Sequence, residues 1–170
     1  LEGMDELAAR YKISAWKTYT QWGPNGASGF FMDDEPGIRL IEKARKLGIR
    51  NIAIHKGLAF GPKSYEHSTC VDIGRVAKRY PDVNFLIYHS GFVANKTEGA
   101  YDAKRTEGID ALVTSLLENS VKPGSNVYAE LGSTWRLAMR DPDTAAHTIG
   151  KLVKYCGENN VLWGTDSIWY

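Results

Sequence analysis

The feature that most constrains this chain is a repeat of short β-rich runs separated by amphipathic helical patterns. The runs are Ile13–Tyr19, Asn51–His55, Asn84–His89, Asn126–Glu130 and Val161–Asp166, and their starts are spaced by 38, 33, 42 and 35 residues. Between them, apolar residues recur at helical steps: Ile38, Ile41, Ala44 and Leu47; Val71, Ile73, Val76, Ala77 and Tyr80; Ile109, Leu112, Leu116 and Leu117; Ala145, Ile149, Leu152, Val153 and Cys156. Asp34-Glu35-Pro36 and Asp141-Pro142-Asp143-Thr144 read as helix starts, a capping residue followed by proline in the first turn. Parallel strands need a crossover of a dozen or more residues, usually a helix, so this alternation predicts an α/β fold with a parallel sheet. Two architectures satisfy it: part of a (β/α)8 barrel, which typically takes about 250 residues, and an open five-stranded doubly wound sheet.

Composition narrows the partners. With 21 Lys+Arg against 20 Asp+Glu in 170 residues, the net charge is +1, and no concentrated basic face offers itself to nucleic acid or an anionic membrane. The longest apolar stretches fall far short of the roughly 18 residues a membrane span needs, and the start lacks a signal-peptide profile. Cys70 and Cys156, 86 positions apart, form no metal or redox motif, so a reducing cytoplasm is the expected location. The chain reads as one domain over residues 1–170 that begins inside a fold and stops directly after a strand.

Polar residues close the predicted strands: His55, His89, Glu130 and Asp166 each end a β-run. In parallel α/β folds the carboxyl ends of the strands share one rim where ligands and catalytic groups gather. Alternation puts His55 with Ala53, His89 with Ile87 and Phe85, and Asp166 with Gly164 and Leu162, and the three are expected to point inward together. Two imidazoles and a carboxylate suit zinc or a similar divalent metal, with Asp166 accepting the proton of a metal-activated water. Glu130 either faces the same cavity, holds a neighbouring backbone or pairs with Lys17. Lys17, alternating with Ile13 and Ala15, would orient an anionic small-molecule substrate. Trp22, Trp135 and Trp169 follow strands and could wall an apolar pocket. His67 and His147 read as solvent-facing.

Other chemistries lack their motifs. Gly57-Leu58-Ala59-Phe60-Gly61-Pro62-Lys63-Ser64 fails as a phosphate loop because Pro62 precedes the lysine, and no GxGxxG or GxSxG occurs. Gly23–Gly29 reads as a mobile loop over the rim.

The order His-Lys-Gly (55–57), Tyr-His-Ser-Gly-Phe (88–92), Ala-Glu-Leu-Gly-Ser (129–133) and Trp-Gly-Thr-Asp-Ser (163–167) resembles the amidohydrolase-related family of the metal-dependent amidohydrolases, which includes aminocarboxymuconate-semialdehyde decarboxylase. The resemblance implies that the five strands are the fourth to eighth of a (β/α)8 barrel, that His55 and Asp166 ligate a divalent metal (zinc, or manganese), and that His89 activates water or polarises the substrate. It implies a hydrolase acting on a lactone, amide or related carboxylated compound, with non-oxidative decarboxylation as the alternative; a flavodoxin-like binding module is the alternative outside enzymes. The His-x-His pair of the family's first strand is absent from these residues, so the stretch alone is expected to bind metal weakly and to be inactive. Open sheet edges are expected to promote homo-oligomers or aggregation.

Overall fold

The computed structural model describes residues 1–23, 27–61 and 65–167. Among them five strands, β1 (Trp16–Tyr19), β2 (Asn51–His55), β3 (Asn84–Tyr88), β4 (Val127–Glu130) and β5 (Val161–Leu162), form one sheet in the order β1-β2-β3-β4-β5, and every pairing is parallel. The helices are α1 (Gly3–Arg10), α2 (Glu35–Lys46), α3 (Ile73–Arg79), α4 (Gly108–Glu118), α5 (Thr134–Ala138) and α6 (Pro142–Cys156). The strand order advances without reversing. That is the winding of a barrel arc, whereas a doubly wound sheet reverses direction at a switch point.

Right-handed crossovers that all step the same way lay their helices on one face of the sheet. Burial shows which face. Registers align Trp16, Ile52, Phe85 and Val127, and two residues on, Thr18, Ile54, Ile87 and Ala129. Six of these, from Ile52 to Ala129, are buried and pack with Ile41 and Ala44 of α2, Ile73 and Val76 of α3, Leu112 and Leu116 of α4 and Leu152 of α6. Each fully buried Ile, Leu or Phe contributes roughly 1.5–3 kcal/mol of transfer free energy. The opposite face carries Lys17, Ala53, Leu86 and Tyr128, then Tyr19, His55 and Tyr88, and is more open.

The helix patterns hold with local shifts. In α4, Val113 is buried and Leu117 is 49% exposed, so the apolar stripe turns one position from the predicted one. Asp141 caps α6, its side chain accepting from the Thr144 N–H at 2.7 Å. Helices α3 and α4 approach so closely that a Cβ at Gly74 would overlap the Ser115 carbonyl oxygen. Strand β2 has the predicted bounds, and the other four are shorter than predicted. β1 starts at Trp16, and β5 is two residues long, which puts Asp166 beyond the sheet. No helix among the described residues is long and apolar enough to cross a membrane.

Candidate active site at the carboxyl rim

Backbone conformation marks the rim. Six non-glycine residues among those described have a left-handed φ, and five of them, Leu58, His89, Ser90, Ser133 and Asp166, follow the carboxyl ends of strands; Ser120 lies two residues past the end of α4. Left-handed backbone costs an L-residue about 1–2 kcal/mol and persists where surrounding contacts enforce it, commonly at functional sites.

His55 closes β2 level with Tyr19 and Tyr88 and is 4% exposed. Its ring packs in a triangular cluster with two aromatics, against Tyr19 (centroids 4.9 Å, interplanar 23°) and against Phe60 (5.0 Å, 28°), which themselves lie 6.4 Å apart. Burial, and secondarily the neighbouring His89, hold its pKa down at about 4, opposed by a backbone hydrogen bond at Leu58. The imidazole is therefore neutral at ordinary pH. Its Nε2 is buried without a hydrogen-bond partner.

His89 reaches the same place by a route the alternation argument did not foresee. β3 ends at Tyr88, and the register sets Tyr88, not His89, opposite His55. A continued strand would send His89 to the helix face with Phe85 and Ile87. Instead φ is +64° at His89 and +53° at Ser90, and the ring meets His55 edge-on at 4.5 Å between centroids. Its Nδ1 is hydrogen-bonded to the Gly132 carbonyl. A carbonyl only accepts, so Nδ1 carries a proton, and in the neutral ring Nε2 presents its lone pair. That Nε2 lies 3.8 Å from Asp166 Oδ2.

Asp166 does not end a strand; it follows β5 by four residues and turns inward through a φ of +56°. The Ser133 hydroxyl donates to Asp166 Oδ2 at 3.0 Å. The inferred in-line arrangement of Asp166 with Gly164 and Leu162 is thus replaced by a bend.

The structure places the other predicted residues as follows. The buried Glu130 carboxylate accepts from the Gly132 N–H at 2.7 Å (Oε1) and the His89 N–H at 3.3 Å (Oε2). This is the backbone-holding arrangement, and it leaves no room at Gly164, where a Cβ would overlap Glu130 Oε1. The Lys17 ammonium stands 3.3 Å from the Tyr88 ring centroid, on the open face. Burial lowers its pKa, while Asp166 and Glu130 act in the opposite direction. Trp135 lies in α5, half-buried against the core and edge-on to the exposed Trp163 at 6.3 Å. Trp22 is exposed and stacks on Phe60. His67 and His147 are half-buried rather than solvent-facing, His67 with its ring against Phe31. Trp169, the centre of the Gly23–Gly29 loop and Pro62–Ser64 lie outside the described residues.

Sequence reasoning missed the Tyr19 and Phe60 stack around His55, Ser133 as partner of Asp166, and the buried Lys56. The register of β1 against β2 would have found Tyr19; nothing in the sequence marks Lys56 as buried.

The donor chemistry suits a divalent cation in part. Each imidazole is fixed by a backbone contact on one side and has an Nε2 free for another partner, the orientation in which metal-binding histidines are held. A carboxylate oxygen faces one of them across 3.8 Å, two acceptors with room for a proton or cation between. Yet no group of three or more His, Cys, Asp or Glu side chains among the described residues is placed to hold a metal. The described residues therefore do not by themselves complete a metal site.

Compared with known proteins, residues 2–169 match the family model described as amidohydrolase. Comparison with curated proteins and with solved structures returns no match.

Proposed function

Because the chain belongs to the amidohydrolase family, we propose that its rim serves hydrolysis of a small carbonyl-containing molecule such as a lactone, an amide or a related carboxylated compound. The observation that carries this reading is the convergence of His55, His89 and Asp166 from the ends of β2, β3 and β5, with both Nε2 atoms unshielded by the backbone contacts that orient the rings.

Asp166 holds the proton of the attacking water at Oδ2, where the Ser133 hydroxyl steadies the carboxylate. His89, with its tautomer set by the Gly132 carbonyl, exchanges a proton at Nε2 with the substrate oxygen or leaving group. Glu130 acts behind it by fixing the backbone of His89 and Gly132. Lys17, on the open face between Tyr19 and Tyr88, orients a substrate carboxylate. Tyr19 and Phe60 exclude water from the His55 ring. His55 Nε2 and an Asp166 oxygen would hold a divalent metal of the kind typical of this superfamily, zinc first and manganese second, which when bound supplies Lewis acidity and a water of lowered pKa. The cytoplasm suits a chain whose two cysteines are both free and buried, with burial raising the Cys156 thiol to about 12.

The test is turnover of lactone and amide panels, in ¹⁸O-water with zinc supplied, by a protein in which this stretch is joined to the His-x-His strand of the family's barrel. Incorporation of label into product, lost by roughly 100-fold or more in Asp166→Asn and His89→Gln, supports hydrolysis. Carbon dioxide release without label would overturn it in favour of decarboxylation.

A further inference from the structure

Lys56, directly after His55, is fully buried, and so is its partner Asp72, with Nζ and Oδ2 2.9 Å apart. A lysine is almost never buried completely unless paired. Such pairs are weak stabilisers, because desolvation of both ions offsets their attraction and an apolar pair of similar volume often does as well. The Asp72 Oδ1 atom is in addition buried without a hydrogen-bond partner, which a purely stabilising arrangement would avoid.

What the pair does is join connections. Lys56 Nζ donates to the His67 carbonyl at 3.0 Å, which also accepts from Thr20 Oγ1 at 2.6 Å. Asp72 Oδ2 accepts from the Met32 N–H at 2.7 Å. The Lys56 backbone carries the β2–β3 ladder past the strands, its N–H donating to Tyr88 O and its carbonyl accepting from Gly91 N–H. The segments after β1, β2 and β3 are thereby tied at one buried point. The segment after β2 carries Leu58 and Phe60, which hold His55 by a backbone hydrogen bond and a ring stack.

We infer that the Lys56–Asp72 pair is a positioning element of the rim, locking the connection after β2 so that Phe60 stays packed on the His55 ring beside Tyr19. This rests on the rim being the site, but its test uses neither metal nor substrate, so a failure of hydrolysis and a failure of the clamp are seen separately.

The experiment compares wild-type protein with Lys56→Met, Lys56→Arg, Asp72→Asn and the double variant Lys56→Met/Asp72→Leu. Two quantities are read by NMR: the ring-current displacement of the His55 ring protons, and amide hydrogen-exchange protection at Met32 and Gly57 relative to Leu112 and Leu116 inside α4. In Lys56→Met the part of the His55 upfield displacement that Phe60 causes is lost, the Tyr19 part held by the β1–β2 ladder remaining, and protection at Met32 and Gly57 falls about tenfold or more, while α4 stays protected. Lys56→Arg retains part of both, and Asp72→Asn loses protection at Met32. The double variant removes the buried charge altogether; it keeps the fold if the single variant does not, and shows the same loss at His55. A folded Lys56→Met or double variant with wild-type His55 shifts overturns the inference. Unfolding of both also overturns it, since the pair would then be a stability element.

Discussion

Replacing Glu130 with Gln separates the backbone-holding role from a substrate-binding one. The wild-type carboxylate receives two N–H groups, from Gly132 at 2.7 Å and from His89 at 3.3 Å, in a side chain only 8% exposed. Glutamine preserves the shape but offers one acceptor oxygen. With that oxygen on the Gly132 N–H, the amide nitrogen faces the His89 N–H, donor against donor. Leaving one buried donor unsatisfied costs about 1–3 kcal/mol, and the remaining bond loses its charge-assisted part. The sum is on the order of 2–3 kcal/mol. For a chain of this length each kcal/mol moves the melting midpoint by roughly 2–4 °C, so Glu130→Gln should melt about 4–12 °C below wild type, read by circular dichroism or calorimetry. Its His89 imidazole ¹⁵N spectrum should also lose the single Nδ1–H tautomer. A melting midpoint within a degree of wild type, with an unchanged His89 spectrum, would refute the argument and return Glu130 to the substrate.

Two further expectations follow from the same contacts. His55, held near pKa 4, is neutral when folded but takes up a proton near pH 6.5 when unfolded. Because the folded value is the lower one, the stability present above pH 6.5 is lost as pH falls toward 4, on the order of 3 kcal/mol in all for the metal-free protein; an imidazole titration with its midpoint above 6 would contradict this. Gly74→Ala must push α3 and α4 apart, since the new Cβ meets the backbone oxygen of Ser115, and should cost at least ~2 kcal/mol in chemical denaturation; an unchanged midpoint would show that the helices yield freely.

The strands were legible because β-branched and aromatic residues cluster in them, and the helices because their apolar residues repeat at helical steps. The winding was not, since spacing alone does not say whether successive strands keep adding to one edge. At the rim the limits are sharper. Trp163-Gly164-Thr165-Asp166 reads as strand, but Gly164 lies against the Glu130 carboxylate and the chain bends away to the left-handed Asp166. Alternation also assigned His89 to a face shared with Phe85 and Ile87, which is the helix face; the left-handed backbone of His89 and Ser90 brings its ring to His55. Residue type thus picked out groups that meet at the rim by a route that strand periodicity does not supply. Lys56 was invisible because a lysine between His55 and Gly57 gives no local sign that Asp72, sixteen positions on, will meet it in the interior.

Chemistry at this rim requires His55, His89 and Asp166 to share one small volume. Zinc titrated into the protein, with every imidazole nitrogen followed by ¹⁵N NMR, tests this directly. The predicted result is a displacement of His55 Nε2 that rises over an excess of zinc and fits one site per chain, with His67 and His147 unmoved, and a binding constant weakened about tenfold or more by Asp166→Asn. Zinc that settles on His67 or His147, or that leaves His55 unchanged, would contradict the account.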